Sequence, residues 1–542
     1  MRAIKFHFCY WIIAMMVFVG PLFNSCIDNQ SKQINQVPEM WGDLNPGPYT
    51  VGFKTIFTYD RAKPPVDFSD WDGRLYTTSE TEGRQMQINV WYPARNKDSK
   101  GLIQFGHYVD LMGQQTEFGE INEEKRSFAN QQFIAKTNAL GGNESFTQDK
   151  LDILRLMETN AILNASPEKQ SFPLIVFPNG GSPAFQSIMC EYFASYGFIV
   201  GAMALKGSKT FTDEASVSGI ETAVSDLDFG LQKLLEIPQV DSKRIGLIGN
   251  AINSSQIIAY QNRNPNIDCV ISLEGGLLSN FEQNLLKETA YYEPSAIDVP
   301  ILAIYAPHPN IDPIYIDHLK YSERYFIHFP QMTEFHFLNY GPFNKFVPDI
   351  IGDHQGDVKN GYELACEYSL NFWKAFLSDD STSKTLLSKI PHPELHEHID
   401  SFFIKRSLKN PPHISVIKDG FIRKGYSFID SVYQSHLPDN PQPFSKAFFK
   451  DLKDWLSWQK DEDYENRYQL YLIARESYPE SAEINFYLAY FALETDRKEE
   501  AEKYYNFSLR YLESDDDPNL TSMRKQRIKE YIKEDMLRLQ AS

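Results

Sequence analysis

Cysteine is scarce in this chain, with five in 542 residues, and two of those, Cys9 and Cys26, lie in the first 26. The other three, Cys190, Cys269 and Cys366, cannot all pair with one another, which excludes a disulfide-held scaffold. Cys190 and Cys269 sit in apolar helix and strand contexts, where a thiol packs as a small hydrophobe. No Cys/His spacing fits zinc, so no metal is expected, and no motif calls for a cofactor. Positive charge is also short. Against 72 Asp and Glu there are 53 Lys and Arg, a net charge of −19, which disfavours nucleic acid and anionic membrane surfaces as partners.

What the chain does contain is apolar and aromatic. A hydrophobic fraction of 42% and an aromatic fraction of 14% suit a large packed core, and the length leaves room for two to four domains. Arg2 and Lys5 precede an apolar run from Phe8 to Phe23, and Leu22-Phe23-Asn24-Ser25-Cys26 closes it. This layout resembles a bacterial lipoprotein signal over residues 1–25, with Cys26 as the acylated mature N-terminus. The expected location is then the cell envelope, lipid-anchored, on the periplasmic side or the cell surface. An uncleaved signal anchor is the alternative, because the run approaches the roughly 17 residues at which spanning begins. Residues 26–45 read as a polar tether.

Tyr49–Tyr59 and Gln85–Tyr92 are rich in aromatic and β-branched residues and read as a pair of edge strands. Residues 104–168 carry helical patterns and no evident strand, as a lid or as surface decoration would. From Phe172 short apolar strands alternate with helices. The strands are Leu174–Phe177, Phe198–Met203, Ile245–Ile248, Cys269–Leu273, Ile301–Tyr305 and Tyr325–Phe329, and a helix over Tyr362–Leu377 closes the series. This alternation predicts an α/β fold, a mostly parallel sheet covered by helices on both faces. Residues 381–443 form a proline-marked connector in which His392, His396 and His398 read as a solvated loop rather than a metal site.

Residues 444–542 are helical. Arg467, Tyr471, Ala474 and Pro479 recur 34 positions later as Ala501, Tyr505, Ser508 and Glu513, with Leu488-Ala489 on the intervening helix. That spacing resembles tetratricopeptide repeats, in which small residues let helices pack closely. Two repeats are too few to stand alone, so these helices are expected to dock on the main domain, and a protein partner through them is a further expectation.

The stretch that decides function is Lys243-Arg244-Ile245-Gly246-Leu247-Ile248-Gly249-Asn250-Ala251-Ile252-Asn253-Ser254-Ser255, an apolar strand running through a tight turn into a helix. It has the frame of a nucleophile elbow, G-x-S-x-G, whose apex exposes a serine above the sheet. Here the apex is Ala251. Together with Gly47–Phe53, Val90–Pro93, Phe177-Pro178-Asn179-Gly180-Gly181 and Tyr196–Val200, the stretch from Tyr49 to Leu377 resembles the α/β-hydrolase superfamily, nearest the platelet-activating-factor acetylhydrolase and dienelactone-hydrolase-like esterases. The resemblance places a hydrolase domain over residues 46–380 and implies His336 as the base. It implies Glu274 as the acid, with Asp312 as the alternative. The backbone amides of Gly180, Gly181 and Ile252 would form the oxyanion hole.

Without a serine the expected protein is a catalytically impaired homologue that binds a small acyl ester, a lipid-like ligand or a protein. One alternative is an active carboxyl-ester hydrolase that uses His336 and Glu274 with a non-standard nucleophile. The other is a helical-repeat interaction protein on a hydrolase scaffold.

Overall fold

The computed structural model describes residues 37–69, 75–76, 83–95, 101–115, 117–142, 144–179, 182–205, 207, 214–290, 292–352, 356–388, 397–459, 463–515, 517 and 520–541. Residues 1–36 form a separate unit outside this set, and Cys26 lies in it. The strands are β1 Thr50–Asp60, β2 Phe68–Ser69, β3 Leu75–Tyr76, β4 Arg84–Ala94, β5 Ala161–Leu163, β6 Phe172–Asn179, β7 Ile199–Ala204, β8 Val240–Asn250, β9 Cys269–Leu273, β10 Ile301–Tyr305, β11 Arg324–His328 and β12 Ser401–Lys405. β2 and β3 pair only with each other. The other ten make one sheet in the order β12-β11-β10-β9-β8-β6-β7-β4-β1-β5. From β7 to β11 all neighbours are parallel, whereas β4 runs against both β7 and β1, and β12 runs against β11.

The sheet is buried on both faces because successive side chains of a strand point to opposite sides. On β8, Ile248 joins one core with Phe53, Trp91, Phe177 and Trp373, while its neighbour Leu247 joins the other with Val90, Leu174 and Phe326. Among the helices that cover the sheet are Ser187–Ser195 and Val358–Leu377, which belong to the first core, and Val217–Leu235 and Ile252–Arg263, which belong to the second.

Three readings of the sequence are corrected. Residues 104–168 do contain a strand: β5 pairs in parallel with Val51–Phe53, and three residues are too few to show a period. β5 therefore occupies the edge, and β4 is an interior strand, buried along its whole length. Its polar positions suggest a half-exposed strand, but they are satisfied internally. Gln87 donates to the Leu111 carbonyl, Thr55 donates to Asn89, and Arg84 pairs with Asp226. The segment 104–155 supplies the cover, with Phe105 against Phe343 and Phe133 stacked on Phe185.

The proline-marked connector likewise holds more structure than its composition suggests. β12 extends the sheet at its far edge, with Phe403 stacked on Phe326. Helices Ile414–Lys424 and Tyr426–His436 contribute Ile417, Ile429 and Tyr433 to a third core that belongs to the C-terminal helices. That core is their own. Helices Lys446–Gln459, Tyr464–Ser477, Ala482–Glu494, Lys498–Tyr511 and Ser522–Ala541 complete it, and Ala474, Ala489, Ala501 and Ser508 are fully buried between them. The hydroxyl of Ser508 donates to the Ala482 carbonyl at 2.8 Å, which is close enough to need a small side chain there.

Candidate functional site at the carboxyl ends of the strands

β8 ends at Asn250 and the helix Ile252–Arg263 begins two residues later. The single residue between them, Ala251, has φ 46° and ψ −135°. An L-residue adopts that conformation at a cost of roughly 1–3 kcal/mol, and it persists only where the surroundings impose it. Two glycines do so. A side chain at Gly276 would meet the Ala251 carbonyl oxygen at 2.1 Å, and one at Gly249 would meet the Asn253 and Ser254 backbone at 2.8 Å. Close packing around the apex is thus carried by Gly249 and Gly276. Ser254 and Ser255 do not replace the missing nucleophile. Both are fully buried, and Ser254 donates to the Gly249 carbonyl and accepts from Ser272.

Ile252 is the first residue of the helix, so its amide is one of the helix N-terminal donors with no intrahelical partner. Gly180 and Gly181 lie outside the described residues.

Glu274 follows β9, is 7% exposed and has φ 66°. It lines a cleft of about 250 Å³ with Leu140, His308, Ile311, Thr333 and Glu334. Three loops converge there, after β9, β10 and β11, and the helix Glu123–Gly141 adds Leu140 to its wall. Burial raises the Glu334 carboxyl above the ordinary range, with His308 opposing. Burial also raises nearby Glu282, and the Glu334 charge adds to that shift. Asp312 has another job. It is exposed, caps the turn Pro313–Ile316 through the Ile314 amide at 2.9 Å, and ties its own amide to the Leu278 carbonyl.

His336 is fully buried in the turn Glu334–Phe337. Its Nδ1 accepts the backbone N–H of Thr333 at 2.9 Å and lies 3.0 Å from the Thr333 hydroxyl. A nitrogen that accepts an amide proton carries none of its own, so the neutral ring is protonated at Nε2. A triad histidine is the reverse: Nδ1–H donates to the acid and Nε2 takes the proton of the nucleophile. The ring is placed as a turn-capping acceptor. Sequence reasoning also missed Asn339, whose side chain donates to the Ala184 carbonyl at 2.7 Å and to Ser187 at 2.9 Å. This laces the loop after β11 to the one after β6.

Strand order with β4 reversed, a left-handed apex after β8, and loops after β9 to β11 around one cleft decide the architecture. It is an α/β-hydrolase fold followed by a helical region. No family model matches the chain, and no curated protein does. Among solved structures it is similar to a ferulic acid esterase from Streptomyces cinnamoneus, at 18% identity and a TM-score of 0.45 over 66% of this chain and 96% of that one. Among the described residues of this hydrolase fold, no group of three or more His, Cys, Asp or Glu is placed to hold a metal ion. Of His392, His396 and His398 only His398 is described, and it is half-buried.

Proposed function

We propose that this chain is a catalytically silent hydrolase-fold lipoprotein of the bacterial cell envelope. It is anchored through Cys26, faces the periplasm or the cell surface, and nearest resembles the acetylhydrolase and dienelactone-hydrolase esterases. It holds a small acyl ester or lipid-like ligand in the cleft beside Glu274 without turning it over. The tetratricopeptide-like helices offer a second surface, for a protein.

One observation carries this reading: the elbow keeps its strained apex but places a methyl group there, at Ala251. A methyl group has no lone pair to attack a carbonyl. The Thr333 amide on Nδ1 of His336 adds support, since it leaves the ring without a basic Nε2. Loss of a triad nucleophile leaves about 10³ to 10⁴-fold over water, from the oxyanion hole and binding alone.

Assays with p-nitrophenyl acetate and p-nitrophenyl butyrate test the proposal. Background rates are expected from the protein and from its Ala251→Ser variant, because the histidine tautomer is wrong as well. Turnover by the unaltered chain that His336→Ala abolishes would overturn the reading. Recovery in Ala251→Ser alone would confine the defect to one side chain.

A further inference from the structure

A second cavity lies at the opposite end of the sheet from Ala251. It encloses about 150 Å³ and is formed where β4 ends and β6 and β7 begin. Its apolar wall includes Val90, Tyr92, Phe172 and Ile199, and its one charged lining residue is Lys54 of β1. The wall is pre-formed. Gly52 leaves room for the Tyr92 ring to lie across β1, where a side chain would meet it at 2.4 Å, and the Tyr92 hydroxyl is fixed on the Ala165 carbonyl at 2.8 Å.

Lys54 is half-buried, and among the described residues its ammonium has neither a hydrogen bond nor an ion pair. Its ammonium sits 5.7 Å from the centre of the Tyr92 ring. Burial holds its amine below the usual lysine value, as expected of a cation with no counter-charge. Asn164 and Gln239 add carboxamides to the lining.

We propose that this cavity is a binding site for a short amphiphilic carboxylate, whose anionic head pairs with Lys54 and whose alkyl chain lies on Tyr92, Val90 and Phe172. The size supports a short chain, since 150 Å³ is roughly five water volumes. The lining supports an amphiphile over a bare anion: one cation stands against a mainly apolar wall, with no second cation to hold a phosphate. The site is independent of the elbow, so it stands or falls without regard to whether the cleft beside Glu274 is catalytic.

Calorimetric titration of the protein with sodium hexanoate, 1-hexanol and inorganic phosphate tests it. Hexanoate is expected to bind saturably with a Kd of about 1 mM, as a small ligand with one charged contact should. Lys54→Met is expected to weaken it about tenfold or more, the worth of a charge-assisted hydrogen bond, and Lys54→Arg to retain it. Hexanol and phosphate should both bind more weakly than hexanoate. Non-saturable hexanoate binding, an unchanged Kd in Lys54→Met, or phosphate binding as tight as hexanoate would each overturn the proposal. The unaltered protein supplies a check that does not depend on folding of a variant. Hexanoate should slow labelling of Lys54 by trinitrobenzenesulfonate, followed by peptide mass spectrometry, and absence of protection refutes the site.

Discussion

The sheet and the C-terminal helices reach a packed state by different means. The sheet portion carries costly features: positive φ at Ala251 and Glu274, the buried Asp226–Arg84 pair, and the buried carboxyl of Glu191. The helical portion relies on small residues at helix crossings, such as Ala474, Ala489 and Ala501. Strain and buried charge persist only where surrounding structure over-determines them, and they concentrate at sites that bind or react. The helices carry fewer such features, a positive φ at Asp496 and the nearly buried charges of Arg467 and Asp535.

The contrast can be broken most forcefully at Asp226. Its carboxylate takes Arg84 at 2.7 Å and Lys63 at 2.9 Å, and Arg84 is almost fully buried. Asp226→Ala takes the carboxylate away from that buried guanidinium, and chemical denaturation should register a loss of about 3–5 kcal/mol.

Glu191 gives a dependence on pH. It accepts bonds from Trp41 Nε1 at 2.9 Å, the Tyr108 hydroxyl at 2.6 Å and the Asn160 amide at 2.9 Å, yet burial pushes its carboxyl up to about 7 from an ordinary 4.5. Between those values the folded chain holds a proton that the unfolded chain has released. Stability from this group is therefore complete below pH 4.5 and falls as pH rises towards 7. The full loss is about 3 kcal/mol, for a displacement of roughly 2.5 units at 1.36 kcal/mol each. Thermal melts across that range should show the slope in the native chain and not in Glu191→Gln.

In the helices the corresponding lesion is steric. Ala489→Leu inserts three carbons where the native residue is fully buried, and a loss of about 1–3 kcal/mol is expected by the same melts. If it were tolerated, close packing would not be what holds this region together. The smallest effect is a gain. Ala251→Gly removes the penalty of a side chain at φ 46°, and stability should rise by about 1 kcal/mol. A decrease would mean that the methyl group contributes packing to the cleft.

Much of the sheet was legible because its strands are short apolar runs between helices, a pattern that only a doubly covered parallel sheet explains. β5 and β12 were not. Three and five residues carry too little period, and their pairing depends on segments more than 70 positions away. β4 misled through its polar residues, whose partners come from β1, from the insertion and from the helix Val217–Leu235. Glu274, which lines the cleft, and His336, buried in the turn Glu334–Phe337, were expected from the resemblance and from chain order. Their surroundings were not, because Asn339 shows no signal of its own until Ala184 and Ser187 are brought beside it.

The sequence by itself determined the chemical limit, since no folding can give Ala251 a nucleophilic oxygen. It also determined the course of the parallel core through its apolar periods. Only the tertiary structure decided which nitrogen of His336 carries the proton, because that depends on an amide, Thr333, placed by a turn. Only the tertiary structure left Lys54 without a counter-charge, because which groups reach an ammonium depends on distances in space that spacing along the chain does not record.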